Sequence, residues 1–130
     1  MHRLFQRLTG TTLLTVVVLF FTSCGKQHQA EQVATAFIDQ YYMADKYDAT
    51  FSSLDSTIHV SDSALVAMRG ATAQSPLFKR GIKYADIPNV SPLYYVRASI
   101  IHDNDTVQST FYMDKTLENI VAVKSVKLSK

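Results

Sequence analysis

The chain has 130 residues, of which 47% are hydrophobic and 18% charged, with four glycines and three prolines. This composition is ordinary for one globular domain. Two of the 13 basic residues, Arg3 and Arg7, account for the formal net charge of +2, because after residue 23 the chain has 11 basic and 11 acidic residues. A neutral domain lacks the cationic footprint that neutralises phosphates, so we predict no nucleic-acid partner.

The beginning of the chain has the three parts of a secretory signal peptide. Arg3 and Arg7 give a positive start, residues 13–21 form an apolar run, and two small residues follow. The run is shorter than the roughly 20 residues that a membrane-spanning helix needs. We therefore predict that residues 1–23 are a helical signal peptide that is removed.

The next residue suggests how the mature chain is held. Residues 21–24, Phe-Thr-Ser-Cys, resemble the bacterial lipobox, although Leu is commoner than Phe at its first position. Cys24 is the only cysteine, so it has no partner for an intramolecular disulfide. A diacylglycerol thioether with a further acyl chain such as palmitate anchors a protein stably, since two chains suffice. We predict a lipoprotein that starts at lipidated Cys24, followed by a short polar tether to residue 29.

This anchor predicts a location in the bacterial cell envelope. The membrane is then a partner through the lipid on Cys24. No acidic run follows the cysteine, unlike in some surface-exported lipoproteins, which favours the outer membrane with the domain facing the periplasm.

The first half of the mature chain has helical patterns. Residues 30–44 carry apolar side chains at every third or fourth position, which predicts an amphipathic helix. Asp45 interrupts this spacing, and residues 46–54 restart it, which predicts a second helix. Ser61 is placed to cap a third helix that Gly70 would end.

The second half has the alternation of strands. Residues 94–100 and 107–113 alternate apolar and polar residues, and Asp103-Asn104 between them suits a two-residue turn. That turn would pair Ile100 with Val107 and Tyr94 with Met113. All the apolar partners then share one face, and a one-residue slip would destroy this agreement.

Two further strands are predicted, over residues 82–87 and 120–128. A four-residue loop over 115–118 would place three residues of the last strand on the core face and two outside; a loop one residue longer or shorter would reverse them. The core set is Ile120, Ala122 and Val126, and the outside set is Val121 and Val123. Residues 30–130 are therefore predicted to be one α+β domain, with two to three helices packed on a curved antiparallel sheet of three to four strands.

Residues 33–42, VATAFIDQYY, and 44–48, ADKYD, resemble the opening helix, turn and second helix of small lipoproteins in the nuclear-transport-factor-2-like superfamily. The element order is similar over most of the mature chain, and the resemblance implies a cone-like α+β fold. The group commonly has a Trp in its last hairpin, whereas this chain has no Trp.

Enzymes of this superfamily place acids or His–Asp pairs inside the cone. No such pair can be mapped here, because Asp103, Asp105 and Asp114 fall in predicted turns and Asp39 lies off the apolar stripe.

Other candidate sites follow from single residues. Tyr41 and Tyr42 could line a ligand pocket between the first helix and the sheet, although Tyr41 also suits the core. His59 and His102 have no partner at metal-ligand spacing, so we predict no metal. No serine has a Gly-x-Ser-x-Gly context, and we identify no catalytic residue and no cofactor site.

A third candidate lies on the face opposite to the predicted core. The hairpin register places Tyr95 beside Tyr112 there, with Arg97 and Thr110 at the rim. Such a cluster is typical of an interface, and proteins that resemble this fold often dimerise through this face.

We therefore expect a non-catalytic, lipid-anchored envelope domain that binds a small ligand or a protein partner, either a second copy or another envelope protein. The alternatives are an enzyme of hydrolase or isomerase type with a pocket in the cone, and a structural assembly subunit that uses the outer sheet face.

Overall fold

Two helices and five antiparallel strands make up the residues that the computed structural model of the protein describes, 25–88 and 92–128. The helices are α1 (residues 25–41) and α2 (Asp62–Gln74). The strands are β1 (Asp48–Phe51), β2 (Asp55–Thr57), β3 (Leu93–His102), β4 (Asp105–Met113) and β5 (Ile120–Leu128). The predicted α+β class is confirmed, but the described sheet has five strands and not the predicted three to four. The predicted signal helix and lipidated Cys24 lie outside the described residues.

Helix α1 buries the apolar stripe that its sequence predicts. Ala30, Ala34, Phe37 and Ile38 are all buried against the sheet. The helix ends at residue 41, after which Tyr42 forms an isolated bridge with Phe78.

Residues 25–29, predicted to be a short polar tether, are helical and form the start of α1. Two glutamine side chains bind this part of the helix to the domain. The Gln27 amide donates to the Ser52 carbonyl at 3.0 Å and accepts from the Leu54 N–H at 2.6 Å. The Gln29 amide donates to the Leu117 carbonyl at 3.1 Å. Polar residues with the composition of a linker therefore hold the helix in place.

The second predicted helix, over residues 46–54, is wrong. Residues 48–51 form β1, which pairs with β3 from Asp48 opposite Ile101 to Phe51 opposite Ala98. Strand β2 pairs with the first residues of the same edge of β3. The segment is short enough for its apolar residues to fit either period, and hydrogen bonding to β3 selects the extended form.

The β3–β4 hairpin has the predicted register. Ile100 lies opposite Val107, and Tyr94 lies opposite Met113. Asp103 has a φ of 53° at the first position of the turn, as two-residue hairpin turns require. The inner face of the sheet, which we define by Val96, Ala98 and Ile100 of β3 and their partners, packs against α1.

Strand β5 contains a β-bulge that corrects its predicted faces. Tyr112 lies opposite Ala122 and Met113 opposite Ile120, so Val121 is an extra residue. One extra residue reverses the alternation. Ile120 therefore faces the core as predicted, and so does Val123, contrary to prediction.

Two other predicted core residues, Ala122 and Val126, belong to the opposite side. Ala122 is buried in a second apolar cluster with Val121, and Val126 is 50% exposed. The sheet order is β1-β3-β4-β5. Strand β2 pairs with β3 along the same edge as β1, at the other end of β3.

Helix α2 begins as predicted but ends later. The Ser61 hydroxyl accepts from the Ala64 N–H at 3.2 Å, which is the expected cap. Gly70 does not end the helix, which continues to Gln74, because the packing of α2 beside β5 supports its last turn.

The strand predicted over residues 82–87 is also wrong. This segment is irregular and makes one backbone hydrogen bond to the sheet, from the Ala85 N–H to the Ile120 carbonyl at 3.0 Å.

Aromatic rings fill the space between α1 and the inner face. The Phe37 ring lies 5.9 Å from Phe111, 6.3 Å from Phe78 and 6.1 Å from Tyr84, measured between centroids. Phe111 is fully buried. The centre of the domain is therefore a packed core.

Candidate functional site

The outer face of the sheet, opposite to α1, carries the residues of the predicted interface. Strand alternation and the observed register place twelve side chains of β3, β4 and β5 on this face in four cross-strand rows. The rows are Ile101, Thr106 and Leu128; Ser99, Gln108 and Val126; Arg97, Thr110 and Lys124; and Tyr95, Tyr112 and Ala122.

The structure brings the three predicted interface residues together. The Tyr95 and Tyr112 rings are neighbours across the strands, with centroids 5.9 Å apart and planes at 43°. The Arg97 guanidinium lies 5.7 Å from the centre of the Tyr95 ring, within cation–π range. The Tyr95 hydroxyl is 3.5 Å from the Asp55 carboxylate at the edge. Burial raises the pKa of the Tyr112 hydroxyl, while nearby Arg97 acts to lower it.

The two ends of the outer face differ in how they are covered. At the Tyr112 end, Leu65 of α2 packs into a buried cluster with Leu93, Val121 and Ala122. At the other end Ile101, Val126 and Leu128 are 46%, 50% and 46% exposed. Ile101 and Leu128 share one cross-strand row, and Val126 lies in the next. The tyrosine pair therefore lies between a covered end and an exposed apolar end.

The predicted pocket residues Tyr41 and Tyr42 point to two different places. Tyr42 is buried, and its ring packs 5.6 Å from Phe78; burial, with a smaller effect of Asp105, raises the pKa of its hydroxyl. Tyr41 is half-buried, and its hydroxyl accepts from the Lys83 N–H at 3.3 Å. Consecutive helical residues diverge by about 100°, so the two side chains do not line one pocket.

Tyr41 lies at an open cleft of about 440 Å³ between α1 and the β4–β5 turn. Its floor is apolar, with Val33 and Phe37, and its rim carries the polar side chains of Lys83, Glu118 and Asn119. Tyr42 lies instead at a cleft of about 200 Å³ beside His102 and Asp105.

The histidines and acids considered in the sequence have structural contacts. The His102 ring bonds through Nδ1 to the Lys46 carbonyl at 2.6 Å, and its Nε2 is 3.3 Å from Asp103. Asp39 accepts from the Tyr47 hydroxyl at 2.6 Å. Within residues 25–88 and 92–128, no group of three or more His, Cys, Asp or Glu side chains could hold a metal ion. His59 is exposed.

Asp114 organises the β4–β5 turn, where the sequence pattern predicts it. Its carboxylate accepts from the Thr116 hydroxyl at 2.9 Å and from the Glu118 N–H at 3.3 Å. Its oxygens are therefore used inside the turn.

Two residues of α2 that sequence patterns did not single out position the edge of the sheet. Arg69 Nε donates to the Val121 carbonyl at 2.8 Å, and the Thr72 hydroxyl donates to the Val123 carbonyl at 3.0 Å. Both carbonyls belong to β5, the last strand of the sheet. The sequence does contain a signal for them: Leu65, Arg69 and Thr72 recur at helical spacing, so a polar pair continues the buried side of α2.

The Tyr84 side chain lies behind Arg69, whose guanidinium is 4.8 Å from the ring centre. The Tyr84 hydroxyl is buried and has no hydrogen-bond partner among the described residues. The nearby Thr72 hydroxyl donates to the Met68 and Val123 carbonyls instead. Burial raises the pKa of Tyr84, against smaller lowering effects of Thr72 and Arg69.

Comparison of the chain with models of protein families, with curated proteins and with solved structures gave no match. Among the helices of the described residues, none has the length and apolar character of a membrane span.

Proposed function

We propose that the protein is a lipid-anchored envelope domain that binds a protein partner through the outer face of its sheet. The observation that carries this proposal is the Tyr95–Tyr112 pair with Arg97, on the same sheet face as an exposed apolar end. Tyr and Arg are enriched among the residues that dominate binding energy at interfaces. A sheet face with polar β-formers around an aromatic pair suits a broad protein surface better than a small molecule.

The packed core supports a surface function. Phe37, Phe78 and Phe111 occupy the space between α1 and the inner face, where a ligand of a cone-like fold would bind.

We also propose that the protein belongs to the nuclear-transport-factor-2-like superfamily. This membership is supported by the packing of an opening helix on an antiparallel meander.

The proposed anchor would hold the domain close to the membrane. Helix α1 already includes residue 25, next to Cys24 in the sequence. A lipid on that cysteine would therefore leave almost no free tether between the bilayer and the domain. The partner that we propose is another envelope protein or a second copy on the same membrane.

The experiment is photo-crosslinking in membranes of the native host. A photoreactive residue at Thr110, in the centre of the outer face, should give one discrete crosslinked product. The same residue at exposed Gln74, at the end of α2, is the matched control and should give little. Identification of the product by mass distinguishes a second copy from another protein.

A second variant tests the energetics. Tyr95→Ser combined with Tyr112→Ser should weaken that crosslink at least about tenfold, because truncating each central aromatic residue of an interface commonly costs over 1 kcal/mol. Circular dichroism would check that the variant is folded. An unchanged crosslink and unchanged oligomeric state in a folded double variant would refute the proposed interface.

The anchor is tested by the intact mass of wild-type and Cys24→Ser protein. Acyl chains on a chain that begins at residue 24 should be present in the wild type and absent in the variant.

The cleft at Tyr41 supports a second candidate function, the binding of a small ligand. Its volume lies in the range of ligand sites, and an apolar floor with a few polar groups is their usual composition. Ala36 also lines this cleft, so Ala36→Trp should fill it without changing the outer face. Chemical-shift mapping with a library of small metabolites would show shifts at Tyr41 that Ala36→Trp removes; if no compound shifts Tyr41, this second function is rejected.

A further inference from the structure

The second half of β5 is an unpaired edge of the sheet. The Val123 carbonyl accepts a hydrogen bond from the Thr72 hydroxyl of α2, so this carbonyl points away from β4. Backbone groups that point the same way recur every second residue of a strand, which directs the N–H and C=O of Ser125 and Lys127 outward. No described residue bonds to these four groups.

The opposite edge of the sheet is arranged differently. It consists of β1 and β2, two short pieces with residues 52–54 between them. Short, interrupted edge strands are poor templates for further pairing. The continuous edge of β5 is therefore the place where the described sheet can accept another strand.

A groove beside this edge gives room for the side chains of such a strand. It lies between α2 and β5 and has a volume of about 410 Å³. The α2 side of the groove consists mainly of small residues, and Phe78 and Val123 lie at its floor. The lining on the helix is Ala64, Ala67, Met68 and Ala71. A strand added about 4.8 Å from β5 would direct alternate side chains into this groove.

Charge on the edge indicates what kind of strand fits. Lys124 and Lys127 are both exposed and lie on opposite faces of β5. Lys127 makes one exposed ion pair, at 3.6 Å from Asp105. Lysines on an edge strand discourage pairing with unselected strands, but they attract a strand that carries carboxylates.

We propose that the β5 edge binds an extended, acidic segment of a partner protein as an additional strand. The main-chain groups of Ser125 and Lys127 supply the hydrogen bonds, apolar side chains of the segment enter the groove, and its carboxylates lie near Lys124 and Lys127. This is strand addition, and it uses a different surface from the tyrosine pair of the outer face.

The probe is a fluorescein-labelled peptide of about six Val and Glu residues, the usual length of a strand, with one Glu on each face of the extended peptide so that carboxylates can reach both Lys124 and Lys127. Fluorescence anisotropy measures its binding to the full mature domain, and amide hydrogen exchange reports on Ser125 and Lys127. We expect saturable binding with slower exchange at both amides. The same peptide with Lys in place of Glu should bind at least about tenfold more weakly, because like charges oppose each other across strands.

Three variants and one control separate the parts of the site. Ser125→Pro removes an outward N–H, and Ser125→Ala is its matched control because it keeps that N–H. We expect the proline variant to bind the acidic peptide at least about tenfold more weakly than the alanine variant. Lys124→Glu with Lys127→Glu should reverse the preference between the two peptides. Ala71→Phe, which fills the groove from an exposed position of α2, should also weaken binding and decides the question if the proline variant does not fold.

Several outcomes would overturn the proposal. One is the absence of saturable binding of the acidic peptide up to about 1 mM, which is already a weak affinity for an interface. The others are equal binding of the two peptides and equal binding by the Ser125→Pro and Ser125→Ala variants. A dimer held through β5 without peptide would identify a second copy as the occupant and would also overturn it. Tyr95→Ser with Tyr112→Ser should leave peptide binding unchanged, so failure at this edge is distinguishable from failure at the outer face.

Discussion

Replacing Arg69 with methionine removes a side chain that joins α2, β5 and the segment before β3. Its guanidinium donates to the Val121 carbonyl at 2.8 Å and to the Ala85 carbonyl at 2.5 Å, and it lies over the Tyr84 ring. Methionine keeps the apolar stem but has no donor. The change therefore tests the hydrogen bonds with little loss of packing.

The expected loss can be worked from these contacts. Hydrogen bonds to a charged group contribute about 1.5–3 kcal/mol each, and the contact with the ring adds about 0.5–1 kcal/mol. Arg69 is half-buried, so water would reach part of the site in the variant and recover some of this energy. We expect the free energy of unfolding to fall by about 3 kcal/mol, a large fraction of the ~5–15 kcal/mol of a typical domain.

Urea unfolding followed by circular dichroism measures this loss, and tyrosine fluorescence gives a second signal in a chain without Trp. The melting temperature should fall by roughly 10–20 °C for a domain of this size. Arg69→Lys is the matched control, because a lysine keeps the charge but has no planar fork for both carbonyls, and it should lose about half as much. A loss below about 1 kcal/mol in Arg69→Met, in the range of exposed pairs, would refute the role given to this side chain.

Three further predictions test single features of the fold. Gly70→Ala should raise the free energy of unfolding by about 0.5–1 kcal/mol, because Gly70 is inside α2 and an added Cβ meets nothing within 4 Å; Gly81→Ala, at a φ of +79°, should have the opposite sign in the same urea assay. Tyr84→Phe should raise stability by up to about 1 kcal/mol by removing a buried hydroxyl without a described partner, and a loss would show that the hydroxyl is bonded. Burial and the bond to Asp39 raise the pKa of Tyr47 to about 12 from 10.0, so its contribution is complete below pH 10.0 and lost as the pH rises to about 12. The stability difference between wild type and Tyr47→Phe should therefore shrink across that window, and a constant difference would contradict the raised pKa.

Features that depend on neighbouring residues could be predicted from the chain alone. The β3–β4 register follows from a short turn and an apolar alternation, and the structure has the predicted pairs from Tyr94–Met113 to Ile100–Val107. The Ser61 cap is equally local. Because the register decides which side chains share a face, the same local pattern also predicts the grouping of Tyr95 with Tyr112.

Features that depend on distant partners were not predictable in this way. Residues 46–54 satisfy both a helical and an alternating pattern, and pairing with β3 about 50 positions later makes residues 48–51 a strand. The bulge at Val121 reverses the faces of β5, yet the sequence contains no turn residue that marks it. Residues 25–29 have the composition of a polar linker. Their position in the fold depends on hydrogen bonds from Gln27 and Gln29 to backbone carbonyls of other loops.

The candidate surfaces also combine features that the sequence predicts with features that only tertiary contacts decide. Alternation along β3 and β4 places Tyr95, Arg97 and Tyr112 on one face, since the period of a strand is a local property. The position of α2 determines which end of that face is covered and leaves the outward backbone groups at the end of β5 without a partner among the described residues. That position arises from contacts between side chains of α2 and carbonyls of β5 about 50 residues later, which local patterns do not encode.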